Sequence, residues 1–280
     1  MEDRIYRFEH GGIHGASIQV MEPAQWDLNR MLPDHLQLPE DSIVTYTHAC
    51  CLLTIHGKQI MVDAGYHANR IVHSLSDLSA NPEDIELILI THGDGDHIAG
   101  LIAENGELTY PQAHYVLHQE LWDYWHSARI RSEQSDEAVA FFESLSALIE
   151  SRASMMSVEC EIEPGITFIP CLGHRHGHSV YEFQTSATPI LHSGDSFFHP
   201  LFLAHPDWPD TMALDAKSEV ASRKRLLKRA ACSGALILTG HMPFPGMGTV
   251  HQQEDGYRWT PMSTSDIEAG KLTTDNKEKL

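Results

Sequence analysis

The chain has 280 residues, and its 42% hydrophobic share is enough to build a folded core. Asp and Glu number 39 against 19 Lys and Arg, so the formal net charge is −20. That charge repels nucleic acid and anionic membrane surfaces, and we expect neither as a partner. Five cysteines without C-x-x-C spacing favour a reducing compartment. Together with the absence of a signal-peptide pattern and of an apolar membrane span, this predicts a cytoplasmic protein.

The N-terminal part of the sequence predicts paired strands. Residues 5–20 alternate loosely around Gly11-Gly12, which predicts a β-hairpin. Residues 21–42 have no clear period, and a lid, a short helix and an association arm all remain open for them. Two further strands are expected over 45–55 and 58–63, and the second runs into the turn Asp63-Ala64-Gly65.

The middle of the chain alternates predicted helices and strands. Apolar residues at helical spacing predict a helix over 69–78, and an apolar run predicts a strand over 85–90. This strand leads into the segment Thr91–Gly100, after which a short helix is expected from Ile98 onward, with Asp96 capping or flanking its start. Beyond it the pattern predicts a strand over 114–117 and amphipathic helices over 119–129 and 136–151.

The C-terminal part predicts shorter strands and one long helix. Strands are expected over 166–169, 179–184, 190–191 and 235–238, and a helix over 215–231. The polar residues 266–280 are expected to fray. Because the sequence has no fixed repeat and no low-complexity linker, we expect one domain spanning 1–280, with residues 1–42 as an N-terminal hairpin and arm.

Five predicted strands share one property, which is that each ends in a small-residue turn bearing Asp or His. These residues are Asp63, His92, His174, Asp195 and His241. The densest cluster is His92-Gly93-Asp94-Gly95-Asp96-His97, with two imidazoles and two carboxylates in six residues. A surface turn is the alternative, since Asp and Gly favour turns. Imidazole and carboxylate are also the groups that bind zinc and related ions.

Pooling the side chains at these strand ends yields enough donors for two metal ions. Two ions that share a hydroxide need roughly five to seven N and O ligands. Seven candidates are available: His92, Asp94, Asp96, His97, His174, Asp195 and His241.

The same motifs resemble the metallo-β-lactamase-fold superfamily. Thr91-His92-x-Asp94-x-Asp96-His97 is similar to its H-x-H-x-D-H signature. The other matching segments, in the family's order, are Asp63-Ala64-Gly65 before this signature, and Gly173–His178, Gly194-Asp195 and Gly240-His241 after it. Residues 241–248 also resemble the H-x-P-F-P-G-x-G tail of a subgroup that contains methyl parathion hydrolase-like enzymes and quorum-quenching lactonases.

The resemblance implies an α+β fold, the αββα four-layer sandwich with two mixed β-sheets between helices. It implies two divalent ions, with Zn²⁺ expected and Mn or Fe as alternatives. The implied ligands are His92, Asp94 and His174 for the first ion, Asp96, His97 and His241 for the second, and Asp195 between them. Asp63 and His178 would be hydrogen-bond partners behind these ligands.

Two positions depart from the family pattern. Asp94 stands where the family has His, and a harder, anionic ligand favours Mn or Fe more than imidazole does. It could also weaken the first ion, so a mononuclear site remains an alternative. Arg175-His176 replaces the usual Thr-Pro, and His176 is interpreted as a surface residue, with substrate contact as the alternative.

The substrate contacts are not predicted individually. Phe198 stands where some acyl-homoserine lactonases have a Tyr, which favours a more apolar pocket. Candidates for the pocket wall are residues 21–42, Trp122, Trp125 and Phe197-Phe198, each of which could equally belong to the core.

The resulting hypothesis is a metal-dependent hydrolase in which a metal-bound hydroxide cleaves a small ester or lactone. Asp96 would orient the hydroxide and shuttle its proton. The alternatives are a phosphotriester or organophosphate hydrolase that uses the same site and a non-catalytic metal-binding protein. The expected partner is a small-molecule substrate, and the resemblance leaves a homodimer open.

Overall fold

The computed structural model describes residues 5–38 and 42–262, which form two seven-stranded sheets and a small two-stranded one. In the first large sheet the strand order is β1-β2-β5-β6-β7-β8-β9. These strands are β1 (Ile5–His10), β2 (Ile13–Gln19), β5 (Ala49–Ile55), β6 (Lys58–Val62), β7 (Ile85–Leu89), β8 (His114–His118) and β9 (Ala153–Met156). The sheet is mixed, since β1 to β6 pair antiparallel and β6 to β9 pair parallel.

The second large sheet follows the chain from β10 to β16 in order. Its strands are β10 (Cys160–Glu163), β11 (Ile166–Pro170), β12 (Ser179–Phe183), β13 (Ile190–His192), β14 (Leu236–Leu238), β15 (Met247–Gln252) and β16 (Tyr257–Pro261). Only the β13–β14 pair is parallel, so this sheet is also mixed. The small sheet joins β3 (Ala24–Asp27) to β4 (Ile43–Tyr46).

Helices pack outside both sheets. They are α1 (Ala68–Asp77), α2 (Gly95–Ile98), α3 (Gln119–Trp125), α4 (Ile130–Glu133), α5 (Asp136–Ile149), α6 (Pro200–Ala204) and α7 (Ala216–Ser233). One apolar cluster joins the first sheet to α1, α3 and α5, another joins the second sheet to α6 and α7, and a third lies between the sheets. These layers confirm the predicted αββα sandwich.

The longest helices have local signals that define their ends. The Ser135 hydroxyl accepts the Ala138 N–H at 3.2 Å at the start of α5. The Asp215 carboxylate accepts the N–H groups of Lys217 and Ser218, both at 3.1 Å, at the start of α7. These bonds satisfy donors that the helix itself leaves free. Helix α7 ends at Ser233 and is followed by Gly234, whose φ of +64° suits a residue without Cβ.

Most predicted elements are present, with shifted boundaries. The hairpin 5–20 is β1–β2, the helix 69–78 is α1, the strand 85–90 is β7, and the helix 215–231 is α7. The prediction of a single strand over 45–55 was wrong. The chain breaks at Thr47-His48 because β4 pairs with β3 while β5 joins the first large sheet.

Other predictions need correction as well. The short helix α2 begins at Gly95 rather than at Ile98, and Asp96 lies in its first turn instead of capping it. The helix over 119–129 ends at Trp125. The strands β3, β9, β10, β15 and β16 were not predicted, because their neighbours in the sheet decide their conformation more than their local pattern does.

The expected N-terminal arm divides into two parts. Residues 5–19 belong to the first large sheet, whereas residues 24–38 form β3 and two 3₁₀ turns, Leu28–Met31 and Asp34–Leu36. The expected fraying over 266–280 lies outside the described residues, and the single domain over 1–280 stays a prediction. Among residues 5–38 and 42–262, no helix has the length and apolar character needed to cross a membrane.

Gly100 permits a close approach of two backbone segments beneath the Thr91–Gly100 segment. Its N–H donates to the Gly65 carbonyl at 2.7 Å. A Cβ added at Gly100 would lie 2.2 Å from the Ala64 carbonyl oxygen. We expect Gly100→Ala to lower the free energy of unfolding by about 1–3 kcal/mol, since neither backbone segment can move freely. Urea denaturation would measure this loss.

Gly95→Ala is the matched control, because its added Cβ would come no closer than 3.5 Å to a neighbour, the Tyr66 ring. Equal stability of the two variants would contradict the close-approach argument.

Candidate metal centre

A buried hydrogen-bond network at the ends of β6 and β7 holds the first histidines. The Asp63 carboxylate accepts the Thr91 N–H at 2.9 Å and the Thr91 hydroxyl at 2.8 Å. The same carboxylate lies 2.7 Å from His97 Nδ1, which therefore carries the proton and donates it. His97 Nε2 is left free of that proton and points towards Asp96 and Asp195.

Two further histidines are held by their Nδ1 atoms in a similar way. His92 Nδ1 lies 3.0 Å from the Thr91 hydroxyl oxygen, and this oxygen accepts because its own proton is donated to Asp63. His241 Nδ1 donates to the Thr47 carbonyl at 2.9 Å. Both Nε2 atoms thus face the same interior point.

The Asp195 carboxylate occupies that point. Its Oδ2 lies 3.7 Å from His92 Nε2, 3.6 Å from His174 Nε2 and 3.2 Å from His241 Nε2. Its Oδ1 lies 3.4 Å from His97 Nε2. The carboxylate thus lies between two sets of histidines that come from the two large sheets.

The donors form groups that could hold metal ions. His92, Asp94 and His174 have donor atoms within 4.8 Å of one another, and so do Asp96, His97 and His241 together with His48. A tetrahedral ion with bonds near 2.1 Å separates its ligands by roughly 3.4 Å, which is close to the spacing around Asp195.

Buried donor atoms without hydrogen-bond partners support the same interpretation. They are the Nε2 atoms of His92, His97 and His174 and the Oδ1 atom of Asp195. A buried polar atom without a partner costs free energy, and a cation at this point would remove that cost. The donor set therefore fits divalent metal ions.

His48 was missed by the sequence analysis. Its Nδ1 lies 3.1 Å from Asp96 Oδ2, and its side chain is 1% exposed. Burial, followed by the charge of His97, lowers the pKa of His48 to about 4, so the ring is neutral at pH 7 and donates one hydrogen bond to Asp96. The sequence placed His48 inside the predicted strand over 45–55, because the break between β4 and β5 was not anticipated.

Arg175 approaches Asp94, the residue that departs from the family pattern. Its Nε donates to Asp94 Oδ1 at 2.9 Å and to Oδ2 at 2.8 Å. Its Nη1 donates to the carbonyls of His174 and Met212, so the guanidinium is anchored on both sides. The sequence marked Arg175 as unusual, but no local pattern pairs it with a residue 81 positions earlier.

His178 supports the backbone behind Asp195. Its Nδ1 donates to the Cys171 carbonyl at 2.8 Å, and its Nε2 accepts the Asp195 N–H at 2.9 Å. Burial lowers the pKa of His178 to about 3, so it remains neutral. The structure thus keeps this ring out of the ligand groups and beside the loop that carries Asp195.

Charge coupling within the centre is strong. Burial opposes the charge of Asp195, but the neighbouring His241, His97 and His92 outweigh burial and hold its pKa well below the usual range. Burial also opposes the charge of His97, yet the carboxylates around it raise its pKa well above the ordinary value, so a metal ion at Nε2 would take the place of a proton there. The centre therefore stabilises its carboxylates in the ionised form that metal binding requires.

A second buried acidic group lies behind His174 and was not predicted. Asp210 and Glu219 each have an oxygen within 4.8 Å of a His174 ring nitrogen. Arg223 Nη2 lies 2.9 Å from Glu219 Oε2. Burial is the main cause that raises the pKa of Glu219 to about 7.

A largely apolar cavity of about 340 Å³ opens directly above the centre. Its floor includes Asp94, Asp96, His174 and Asp195. Its walls come from the β3–β4 region and from loops of both halves, with Met21, Trp26, Met31, Tyr46, Tyr66, Phe198 and Met212. Met21, Trp26 and Met31, from the stretch over 21–42, thus supply part of the wall, as one of the alternatives anticipated.

The remaining candidates from the sequence divide between surface, core and pocket. Phe198 lines the cavity, whereas Phe197 is buried in the core of the second half. Trp125 lines a neighbouring cavity of about 330 Å³ together with His176 and Arg175. His176 stacks on Tyr124 with ring centroids 4.1 Å apart and lies 3.1 Å from a Glu120 oxygen.

Comparison with known proteins agrees with the class that fold and site define, a metal-dependent hydrolase. A family model described as the metallo-beta-lactamase superfamily matches residues 45–241, which is more than half of the chain. The chain therefore belongs to the metallo-beta-lactamase superfamily, and both the predicted family and the predicted enzyme class are confirmed.

Solved structures share the fold over nearly the whole chain. AidC, a dizinc quorum-quenching lactonase solved with a product, N-hexanoyl-L-homoserine, has a TM-score of 0.80 and 20% identity, covering 93% of this chain and 98% of AidC. AbOPH, a hydrolase of the beta-lactamase superfamily, has a TM-score of 0.79 and 21% identity, covering 94% and 99%. At these identities the likeness concerns the fold.

Similarity to a curated protein is confined to a short segment. Exodeoxyribonuclease WalJ of Streptococcus pneumoniae is 43% identical over 44 residues. The segment spans 16% of this chain and 16% of WalJ. The activity of WalJ is therefore not carried over to this chain.

The buried Glu219 carboxyl predicts a pH-dependent stability. Its folded pKa of about 7 lies above the ordinary 4.5, so the native state keeps a proton that the unfolded chain releases. This contribution to stability is present below about pH 4.5 and is lost as the pH rises to about 7. We expect Glu219→Gln to remove about 2–3 kcal/mol of this pH dependence. Urea denaturation from pH 4.5 to 7.5, with both proteins in the same metal state, would measure it.

Glu150→Gln, at an exposed position, is the control and should leave the pH dependence of the wild type unchanged. Parallel stability curves for wild type and Glu219→Gln would contradict the prediction.

Proposed function

We propose that this hydrolase cleaves a small, largely apolar ester or lactone. The observation that carries the proposal is the convergence of seven candidate metal-ligand side chains, four of which form the floor of an apolar cavity of about 340 Å³. Small-molecule sites have this form, with apolar walls and a few polar groups at one end. The lactonase AidC, which shares the fold, supports a lactone as the first substrate class to test.

Two divalent ions are the proposed cofactors. The first would be held by His92, Asp94 and His174, and the second by Asp96, His97 and His241. Asp195 would lie between them, which its distances of 3.2–3.7 Å to four imidazoles support. Zn²⁺ is the proposed metal, and Mn or Fe the alternatives that the anionic Asp94 favours. Bound ions would lower the pKa of a water molecule and stabilise negative charge on the substrate oxygen.

Asp96 is proposed to orient the attacking water and to hold its proton. Its carboxylate lines the cavity and is the group on the floor that contacts His48. The neutral His48 ring donates to Asp96 Oδ2 and keeps Oδ1 free to turn towards the cavity. Burial opposes the charge of Asp96, but the neighbouring His97 and then the hydrogen bond with His48 outweigh burial and hold the pKa of Asp96 well below its usual range. Asp96 is therefore ionised, which is the form that can accept a hydrogen bond and a proton from the water.

Aromatic side chains would hold the apolar part of the substrate. Tyr46 stacks on His241 with centroids 4.5 Å apart, and its hydroxyl lies 3.1 Å from His241 Nε2. Trp26 packs against Tyr46, and Phe198 lies between His174 and His241. These walls present a largely apolar surface to the substrate.

An aryl phosphotriester would use the same floor and walls, so organophosphate hydrolysis is the second candidate. A nucleic-acid substrate is disfavoured by the net charge of −20. The cytoplasmic location and the homodimer stay predictions from the sequence.

Metal content tests the proposed ligands. We expect His92→Ala and His241→Ala each to lose about one of two bound ions, because each removes a donor that no neighbour replaces. Elemental analysis of protein purified without added metal would measure this. His14→Ala, which removes an exposed histidine, is the control and should leave the metal content unchanged. Unchanged metal content in both site variants would show that the ligand set is wrong.

Turnover tests the reaction. We expect a short acyl lactone to be hydrolysed faster than an aryl phosphotriester by one preparation, and dialysis against a chelator to abolish both activities. Asp96→Asn should lower kcat for the preferred substrate by about 10²–10⁴-fold. A faster phosphotriester reaction would favour the second candidate, and no turnover with Zn, Mn or Fe would favour a non-catalytic metal-binding protein.

A further inference from the structure

The pair formed by Asp94 and Arg175 distinguishes the two proposed metal positions. The first position is formed by His92, Asp94 and His174, and the second by Asp96, His97 and His241. All the donors near the second position are histidines or the carboxylates Asp96 and Asp195, and in the described residues no arginine contacts these two carboxylates. At the first position Asp94 is instead shared with a guanidinium, whose Nε lies within 2.9 Å of both carboxylate oxygens.

The geometry leaves Asp94 able to face a metal ion while it stays paired. Its Oδ2 is the oxygen nearest the histidines, at 3.7 Å from His92 Nε2 and 4.0 Å from His174 Nε2. Arg175 Nε contacts this same oxygen at 2.8 Å. A carboxylate oxygen has two lone pairs, so it can accept one hydrogen bond and still act as a ligand.

Arg175 is held in this position rather than drawn there by Asp94 alone. Its Nη1 donates to the His174 carbonyl at 2.9 Å and to the Met212 carbonyl at 2.8 Å. One of these carbonyls belongs to a ligand residue, so the guanidinium is tied to the same loop as His174. Contacts with Asp94, His174 and Met212 therefore hold the positive charge beside the first position.

The charges of the two residues compensate each other. An aspartate in place of a neutral imidazole adds one negative charge to a centre that already has Asp96 and Asp195. The guanidinium, which carries its charge at all working pH values, cancels it. A positive charge this close also repels a divalent cation and withdraws electron density from the ligand oxygen.

We propose that Asp94 and Arg175 act together as one charge-neutral ligand, in which Arg175 weakens the first metal position and makes it the exchangeable one. The inference rests on the proposed metal centre and deepens it, since it assigns the two positions different affinities. Arg175 is thus a positioning residue that controls metal occupancy. Arg175 lines both cavities beside the centre, so a change in metal occupancy at the first position would alter the surface of the proposed substrate cavity.

Calorimetric titration of chelator-treated full-length protein with Zn²⁺, and separately with Mn²⁺, tests the proposal. The wild type should show two steps of different affinity. Arg175→Gln removes the charge while keeping a polar side chain, and should tighten the weaker step about tenfold or more without moving the stronger one. Arg175→Lys keeps the charge but not the planar geometry, and should leave the weaker step within about threefold of the wild type.

A double-variant cycle separates charge from general effects. Asp94→His alone leaves the charge of Arg175 uncompensated beside the ion and should weaken binding at the first metal position further, whereas Asp94→His with Arg175→Thr should restore it. Arg131→Gln removes an exposed arginine that is paired with Glu143, and it controls for the overall charge. Thermal unfolding of each metal-free variant verifies that it is folded.

The outcomes are distinct. The inference would be overturned, with the metal centre intact, if the wild type shows two binding steps and Arg175→Gln leaves both affinities unchanged. It would also be overturned if Arg175→Gln lowers the affinity of the weaker step. A wild type that binds neither Zn²⁺ nor Mn²⁺ would overturn the metal centre and the inference together.

Discussion

The buried carboxylate of Asp195 is the group on which the arrangement of the centre depends. Four imidazoles from both halves of the sandwich lie within 3.7 Å of its oxygens. Such a charge is stable in the interior only when it is surrounded by donors or cations. The two sheets must therefore pack so that their loops meet at one edge. The apolar layer between the sheets, which includes Leu53, Phe168 and Leu238, sets the distance between them.

The network behind the ligands matters as much as the ligands themselves. Asp63, the Thr47 carbonyl and the Thr91 hydroxyl each bind an Nδ1 atom, so each of the three rings presents Nε2 to the interior. A free imidazole could rotate or change tautomer, and these bonds prevent both. These bonds direct the Nε2 atoms of the three rings towards one another, and this preorganisation lowers the entropic cost of metal binding.

Much of this site could be predicted from the sequence, because its donors lie in short motifs at strand ends. All seven proposed ligands come together in the structure, and Asp63 and His178 lie directly behind them. The partners that tune the centre were not predictable. His48 contacts Asp96 from 48 positions away, Arg175 contacts Asp94 across 81, and Glu219 approaches His174 from a helix. Such pairs leave no local pattern, since only tertiary packing determines which side chains meet.

The sequence by itself determined the class of the protein: a family signature, the ligand types and the order of strands that end in Asp or His. These properties are local, because each depends on neighbouring residues and on strand or turn propensity. Only the tertiary structure decided how the chain breaks at Thr47-His48, which side chains wall the cavity, and that Asp94 is shared with Arg175. The physical reason is that charge pairing and the exclusion of water depend on how far apart side chains lie in the folded protein, and only the fold sets those distances.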